Sequence, residues 1–267
     1  MGTAKPTAAE RAAVPHHLVD CVDPRVDYSA AAYVRDAEAR IEAIAHRDRV
    51  PIVVGGTGMY LRSLLRGLVE APARDEILRG RLRRLIDRFG APSLHRRLMG
   101  VDPSSARRIA PGDAQRIVRA FELAWIGGKR WSERLDDEGT WRDGGDRYPS
   151  LKVGLDLDRS ALVARLDARV DRFFEEGWVE EIERLLAEGV PPESNAFKAI
   201  GYREVSACLR RGEPPENVRE EIRRRTRRYA KRQRTWFRSE PALEWYDASE
   251  STERIADRIV KRWTAPV

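Results

Sequence analysis

Apolar side chains recur at every third or fourth position along most of the chain, with charged residues between them. This spacing is typical of amphipathic helices that bury one face. Residues 1–28 contain three prolines and are predicted to form loops. Gly177 is expected to bend the longest helix, because glycine weakens a helix interior. The spacing predicts helices over residues 29–46, 59–67, 75–89, 93–99, 103–109, 113–125, 160–188, 197–210, 216–237 and 251–263.

Three short segments depart from the helical spacing and predict β-strands. Residues 50–54 are wholly apolar, as in a strand that is buried on both faces of a parallel sheet. Residues 151–157 alternate between two faces, and residues 243–246 form a third short segment. The sequence Gly55-Gly56-Thr57-Gly58 follows the first strand and opens a helix. Strand, glycine turn and helix in this order indicate an α/β fold with a parallel sheet.

The strand patterns are confined to the two ends of the chain. No strand is predicted between residues 73 and 134, and residues 127–149 are rich in Gly, Asp and Arg, as in a linker or loop. The sequence therefore predicts an α/β core made of residues 1–72 and 150–267. Residues 73–149 are predicted to form a helical insertion.

Composition narrows the class of protein. The chain has 267 residues, of which 42% are hydrophobic and 35% charged, so a full globular core is expected. No apolar run approaches the roughly 18–20 residues of a membrane span, and no signal peptide is recognisable. Cys21 and Cys208 lack metal-ligand spacing and are expected to be reduced thiols of a cytoplasmic protein. The neighbouring His16 and His17 would point to opposite sides of an extended segment, so no metal site is predicted.

The charge balance allows a nucleic-acid partner. Lys and Arg number 50 against 43 Asp and Glu, and Arg predominates, although a GC-rich genome would give the same bias. Residues 216–237 carry the highest density of positive charge, and such a helix repels itself unless anions lie nearby, which favours a polyanion. Its aromatic residues, Tyr229, Trp236 and Phe237, could stack on bases, but they also fit the apolar stripe of the core.

Two segments carry candidate binding chemistry, each with a structural alternative. Glycines at 55–58 would let the backbone approach a phosphate, and Thr57 adds a hydroxyl, but a tight structural turn fits equally. Gln115, Arg116 and Arg119 share one helix face. An amide and two guanidiniums can hold a base edge and phosphates, whereas the alternative is an ordinary solvated face.

Seven motifs in the same order together resemble the bacterial tRNA dimethylallyltransferases, also called tRNA isopentenyltransferases. The resemblance covers essentially the whole chain. The motifs are residues 2–6, 15–20, 28–37, 51–61, 102–103 with 115–120, 199–204, and 230–237.

This resemblance implies a P-loop NTPase-like core with an inserted all-helical domain that contacts tRNA. It implies transfer of a dimethylallyl group from dimethylallyl diphosphate to N6 of adenosine 37 in the tRNA anticodon stem-loop, with Mg²⁺ as cofactor. A monomer without a membrane partner is expected. The adenine must leave the base stack to react, and the charge that develops on the diphosphate must be neutralised.

The resemblance also assigns roles to particular residues. Thr57 matches the threonine at the channel where base and donor meet. Arg79 matches an arginine at the start of the insertion that supports the anticodon loop. The residues implied in tRNA binding are Thr57, Arg79, Gln115, Arg116, Ile117, Val118, Arg119, Gly201, Tyr202 and Arg203.

One part of the family's pattern has no counterpart in these 267 residues. The family carries a first strand, a phosphate-binding loop ending in Gly-Lys-Ser/Thr and an Asp-Ser-x-Gln motif before the position that matches Gly2. The resemblance implies that the motif's aspartate is the general base and that the loop holds the diphosphate and the metal. Neither Gly-Lys-Ser nor Gly-Lys-Thr occurs in the sequence. We expect that the start codon was assigned too late, and a truncated gene product is the alternative.

Two other functions compete with the transferase. A truncated product would be a catalytically inactive tRNA-binding protein on the same scaffold. A P-loop kinase acting on a small metabolite would explain neither the Gln115 to Arg119 segment nor the basic helix.

A polypeptide of residues 1–267 alone is therefore expected not to prenylate an anticodon stem-loop, because it contains neither the base nor the phosphate loop. Adding an upstream segment of roughly 40–50 residues, enough for a strand, a loop, a helix and a further strand, should restore transfer and raise the thermal stability. Labelled dimethylallyl transfer and thermal unfolding of both polypeptides check this. Robust transfer by residues 1–267 would contradict it, as would equal stability of the two.

Overall fold

The structure is a computed structural model, and it describes residues 4–68, 75–128, 130–133 and 145–264. Its strands are β1 (Lys152–Asp156) and β2 (Leu243–Asp247), and short 3-10 turns span Ala196–Lys198 and Pro215–Val218. In the described part of the chain, no helix is both long and apolar enough to span a membrane. The helices are α1 (Ala8–Ala13), α2 (Ala30–Ala45), α3 (Gly58–Arg66), α4 (Glu76–Phe89), α5 (Ala91–Val101), α6 (Pro103–Arg108), α7 (Ala114–Ile126), α8 (Arg159–Glu175), α9 (Trp178–Ala187), α10 (Tyr202–Arg210), α11 (Arg219–Phe237) and α12 (Thr252–Thr264).

The helical periodicity located most of the helices, with several differences. The predicted helices over 197–210 and 216–237 each begin with a 3-10 turn, and the α-helices start later, at Tyr202 and Arg219. The predicted N-terminal loop contains α1, which begins with a capping box in which the Thr7 hydroxyl and the Glu10 carboxylate each accept from the other's backbone amide. The predicted helix over 160–188 is two helices, α8 and α9. Gly177 stands between them with φ of +89°, a left-handed conformation that suits glycine and interrupts the helix.

The chain divides into two compact units. The first unit comprises Met1–Leu64 and Pro149–Val267, and the second comprises Leu65–Tyr148. Both described strands belong to the first unit, whereas the described elements of the second are helices.

The sheet of the described residues consists of β1 and β2, which run parallel with Lys152 opposite Leu243 and Asp156 opposite Asp247. The prediction that residues 50–54 form a buried strand is wrong. They form no strand, and Ile52 and Val54 are 82% and 89% exposed. An extended segment needs a neighbouring strand to satisfy its backbone groups, and none of the described strands pairs with this one.

Each unit has its own apolar core. In the first unit, α8 to α11 surround Trp178, with Ile182, Val205 and Ile222 fully buried. In the second unit, α4, α5 and α7 pack together around Leu98. Burying side chains of this size contributes about 1.5–3 kcal/mol each, which is how each unit holds its helices in place.

In the second unit, a buried carboxylate ties the α6 turn to a later segment. The Asp102 side chain accepts from the Ser105 amide at 3.0 Å and the Ser105 hydroxyl at 2.6 Å, which caps α6. It also accepts from the Ser132 hydroxyl at 2.8 Å. Asp102 is fully buried, so these bonds replace its lost hydration.

Candidate functional site

The glycine turn places Thr57 at the start of α3. The Thr57 carbonyl accepts from the amides of Tyr60 at 2.9 Å and Leu61 at 3.2 Å, which starts the helix. Thr57 is an exposed residue. A substrate group could therefore reach it.

Two side chains of helix α11 contact this turn. The Gln233 side-chain amide donates to the Gly56 carbonyl at 2.8 Å. A Cβ added at Gly56 would lie 2.2 Å from the same Gln233 nitrogen, and one added at Gly58 would lie 2.2 Å from the Trp236 ring. The Trp236 ring leaves no room for a side chain at residue 58, whereas the obstacle at residue 56 is only the tip of the flexible Gln233 side chain. The Trp236 contact supports the alternative of a tight structural turn. Phosphate binding at the turn stays a prediction.

A buried ionic group lies beside Trp236. The Arg62 guanidinium sits 4.2 Å above the centre of the Trp236 ring and donates to Glu240 at 2.8 Å. Lys152 of β1 contacts the other Glu240 oxygen at 3.3 Å. The Glu240 side chain is only 6% exposed, and the positive charges of Arg62 and Lys152 help to compensate its burial. The group links α3, β1 and the residues just after α11.

The basic residues of α11 divide into two faces. On the inner face, Arg223 pairs with Asp171, Arg227 with Asp167, and Arg234 with Asp156, while Arg225 pairs with Glu204. We call the second set the outer stripe. Its members are exposed and form no ion pair with any described residue: Arg228, Lys231 and Arg232 of α11, and Arg238 directly after its end.

The outer stripe adjoins an aromatic side chain. The Tyr229 ring is 37% exposed, and the Arg232 guanidinium lies 5.6 Å from its centre. Trp236, by contrast, packs against Gly58 and Arg62. Of these aromatic residues, Tyr229 is thus better placed to stack on a base, and Trp236 belongs to the packing of the turn.

The predicted segment at 201–203 lies largely in the core of the first unit. Gly201 has φ of +93°, and a Cβ there would lie 1.8 Å from the Trp178 ring. Tyr202 is 6% exposed and donates its hydroxyl to Glu181 at 2.6 Å. Arg203 is exposed. A contact between this segment and RNA stays a prediction, and Arg203 is the side chain in a position to make it.

In the second unit, α7 displays two of its predicted site residues and buries two others. Gln115 and Arg116 are exposed, and the nearest acidic partner of Arg116 is Asp113 at 3.5 Å. Ile117 and Val118 are buried in the core. Their side chains therefore anchor the helix, while the two polar ones face solvent.

The residue that organises the other two predicted arginines is Glu122, which the sequence reasoning missed. Its fully buried carboxylate accepts two bonds from Arg79, at 2.8 and 2.9 Å, and one from Arg119 at 2.5 Å. It also accepts from the Asp75 amide at 2.8 Å. Arg119 was expected beside Gln115 on the solvated face, but its side chain is 32% exposed and its guanidinium is directed to Glu122.

The pKa of Glu122 reflects this network. Burial raises the pKa of the carboxyl, but hydrogen bonds from Arg79, Arg119 and the Asp75 amide outweigh burial and lower the pKa to about 2. The spacing of Arg119 and Glu122 by three residues was a readable signal. The bond to Arg79 links positions 43 residues apart and had no local signal.

The described residues do not supply a metal site. They contain no group of three or more His, Cys, Asp or Glu side chains that could hold an ion. Magnesium in phosphate-transfer sites is usually held by substrate phosphates with one or two protein oxygens, so the expected magnesium ion stays a prediction.

The chain matches the family model described as IPP transferase over residues 1–240. It is 43% identical over 261 residues to the tRNA dimethylallyltransferase of Geobacter sulfurreducens, covering 98% of this chain and 83% of that one. It is 46% identical over 264 residues to the enzyme of that name from Anaeromyxobacter dehalogenans, covering 98% and 86%.

Solved structures of proteins with related names also match this chain. A crystal structure of the full-length tRNA isopentenylpyrophosphate transferase from Bacillus halodurans matches with a TM-score of 0.68 and 32% identity, covering 98% of this chain and 81% of that one. A eukaryotic dimethylallyltransferase acting on tRNA matches with a TM-score of 0.80 and 26% identity, covering 99% and 70%.

The Glu122 network predicts acid sensitivity of the second unit. Because the folded pKa of about 2 lies below the ordinary value of 4.5, the stabilisation is complete above pH 4.5 and is lost as the pH falls toward 2. It amounts to roughly 3 kcal/mol. Glu122→Gln should remove a similar amount at pH 7 and weaken the pH dependence, measured by urea unfolding. The control is Glu76→Gln, since Glu76 is exposed and 3.9 Å from Arg83. Equal effects of the two changes would contradict the assignment.

Proposed function

Because this chain belongs to the IPP transferase family, we propose that it transfers a dimethylallyl group from dimethylallyl diphosphate to N6 of adenosine 37 in the anticodon stem-loop of tRNA. The observation that carries the proposal is the identity of 43–46% to enzymes named tRNA dimethylallyltransferase, extending over 98% of the chain. The exposed basic and aromatic side chains of α11 support an RNA substrate independently.

The reaction makes three physical demands. The adenine amine is inaccessible in the base stack, so the base must be turned out into a pocket. The donor carbon must be held against the amine, since positioning alone can supply much of the rate enhancement. The leaving diphosphate gains negative charge, which must be stabilised. We assign Thr57 to the first two demands, because it is an exposed residue on a turn that α11 contacts.

Each unit by itself exposes side chains suited to RNA. In the second unit, Gln115 and Arg116 are exposed for polar contacts, and Arg119 is held by Glu122 at the edge of the same helix. In the first unit, the outer stripe offers four positive charges that no described acid neutralises. Phosphates are the natural partners of such charges. Arg79 is mostly buried on Glu122, so we propose that it supports the site from within.

The proposal includes finer expectations on the fold and setting. We propose that the first unit is a P-loop-type core, which the parallel pairing of β1 and β2 supports. Magnesium would neutralise diphosphate charge, held mainly by the diphosphate oxygens with one or two protein oxygens. A monomeric, cytoplasmic enzyme agrees with a tRNA substrate.

The proposal is tested by steady-state transfer of labelled dimethylallyl to an anticodon stem-loop, using the full product of the gene. Thr57→Ala should lower kcat, since the hydroxyl acts where base and donor meet. Arg116→Ala should raise KM for the stem-loop and reduce the salt dependence of binding by about one phosphate contact, leaving KM for the donor unchanged.

Arg97→Ala is the matched control. Arg97 is exposed on α5 of the same unit, and its substitution by alanine removes the same positive charge. If Arg97→Ala weakens stem-loop binding as much as Arg116→Ala, the effect is one of net charge and the role of α7 is refuted. Stem-loop binding by the full product without any transfer would instead favour the inactive tRNA-binding protein.

A further inference from the structure

We propose that Gln233 is a positioning residue for the transfer step, and that it acts by holding the Gly56 carbonyl so that Thr57 stands at a fixed place. This inference rests on the role of Thr57 in the proposed function. The proposed role of Gln233 in α11 is therefore distinct from RNA binding.

The contact is specific in distance and chemistry. The Gln233 amide nitrogen lies 2.8 Å from the Gly56 oxygen, and the two residues are 177 positions apart in the chain. Gln233 is half-buried, between inward-facing Arg234 and outward-facing Arg232 on the same helix. An amide donates without carrying charge, so it can hold a carbonyl where a neighbouring arginine would bring a full positive charge.

A second contact makes the turn depend on α11. The Trp236 ring occupies the space that a side chain at Gly58 would need, and Arg62 covers the ring at 4.2 Å. Gly56 and Gly58 are thus both fitted to side chains one helical turn apart, on either side of Thr57. Of the two contacts, the hydrogen bond is the one that fixes a backbone atom next to Thr57.

The residues directly before the turn contribute little packing to hold it in the described structure. Residues 52–54 form no strand, and their side chains are exposed. A shift of about 1 Å at a reacting group can lower a rate by about a hundredfold, so loss of this restraint should appear in kcat. The binding of tRNA, which depends on many charges, should be affected less.

The test is Gln233→Glu in the full product of the gene. Glutamate has the same size, but its ionised carboxylate can only accept hydrogen bonds and would face the Gly56 oxygen. We expect faster amide hydrogen exchange at residues 56–61 and a kcat about tenfold lower, the rate equivalent of one lost hydrogen bond. The variant-to-wild-type ratio of kcat should rise as the pH falls from 8 to 5, because a protonated glutamate can donate again.

Thr235→Glu is the control for charge, because it adds the same negative charge to an exposed position of the same helix. It should weaken stem-loop binding at least as much as Gln233→Glu while keeping kcat and the exchange of residues 56–61 at wild-type values.

The outcomes separate the positioning role of Gln233 from the proposed role of Thr57 in the transfer step. Unchanged exchange at residues 56–61 in Gln233→Glu overturns the positioning role, whether or not the enzyme is active. Faster exchange with unchanged kcat, while Thr57→Ala lowers kcat, also overturns it. If Thr57→Ala itself leaves kcat unchanged, the proposed role of Thr57 fails, and exchange alone then decides whether Gln233 holds the turn.

Discussion

The ion pairs along the inner face of α11 are the interaction on which the first unit depends. Asp167 and Asp171 of α8, Asp156 of β1 and Glu204 of α10 each meet an arginine of this helix. Half-exposed pairs of this kind contribute only about 0–1 kcal/mol each, so buried apolar residues such as Ile222 carry most of the stability. The pairs instead join α11 to α8, β1 and α10, and the same helix carries Gln233 and Trp236, which contact the glycine turn.

The same acids decide which positive charges remain for a polyanion. The arginines of the inner face are engaged by carboxylates of the first unit, and the basic residues that no described acid engages form the outer stripe. The second unit follows the same rule on a smaller scale, since Glu122 engages Arg79 and Arg119 and leaves Arg116 at the surface. The count of basic residues is therefore a poor guide to RNA binding. The arrangement of their acidic partners is a better one.

Much of the fold followed from the sequence, because helical periodicity is a local property. Most of the helices were found in this way, the strands β1 and β2 were found where the spacing departs from it, and the order of the motifs indicated the family. The segment at 50–54 was misjudged because burial of a strand depends on its neighbours, which an apolar run does not reveal. The glycines at 56 and 58 left two readings open, a phosphate site and a tight structural turn, because their contacts are with side chains some 177 residues away.

The candidate site was predicted less completely, because its contacts also join residues that lie far apart in the sequence. Periodicity placed Arg119 on one face with Gln115, but a fully buried glutamate one turn later redirects it. A charged residue at an apolar position of a helix is a warning that arginines from elsewhere will converge there. Arg79, the second partner, comes from a different helix, and only the packing of α4 on α7 brings it near.

The central claim is that the acids of the first unit divide the arginines of α11 between folding and RNA. The most direct measurement is the salt dependence of anticodon stem-loop binding by the double variant Arg228→Ala with Arg232→Ala, compared with Arg227→Ala from the inner face. The account predicts that the outer variant lowers the slope of log affinity against log salt by about 1.5, at unchanged thermal stability. The inner variant should keep the slope and lose stability. A full slope in the outer variant, or an equal loss of slope in the inner one, would contradict the account.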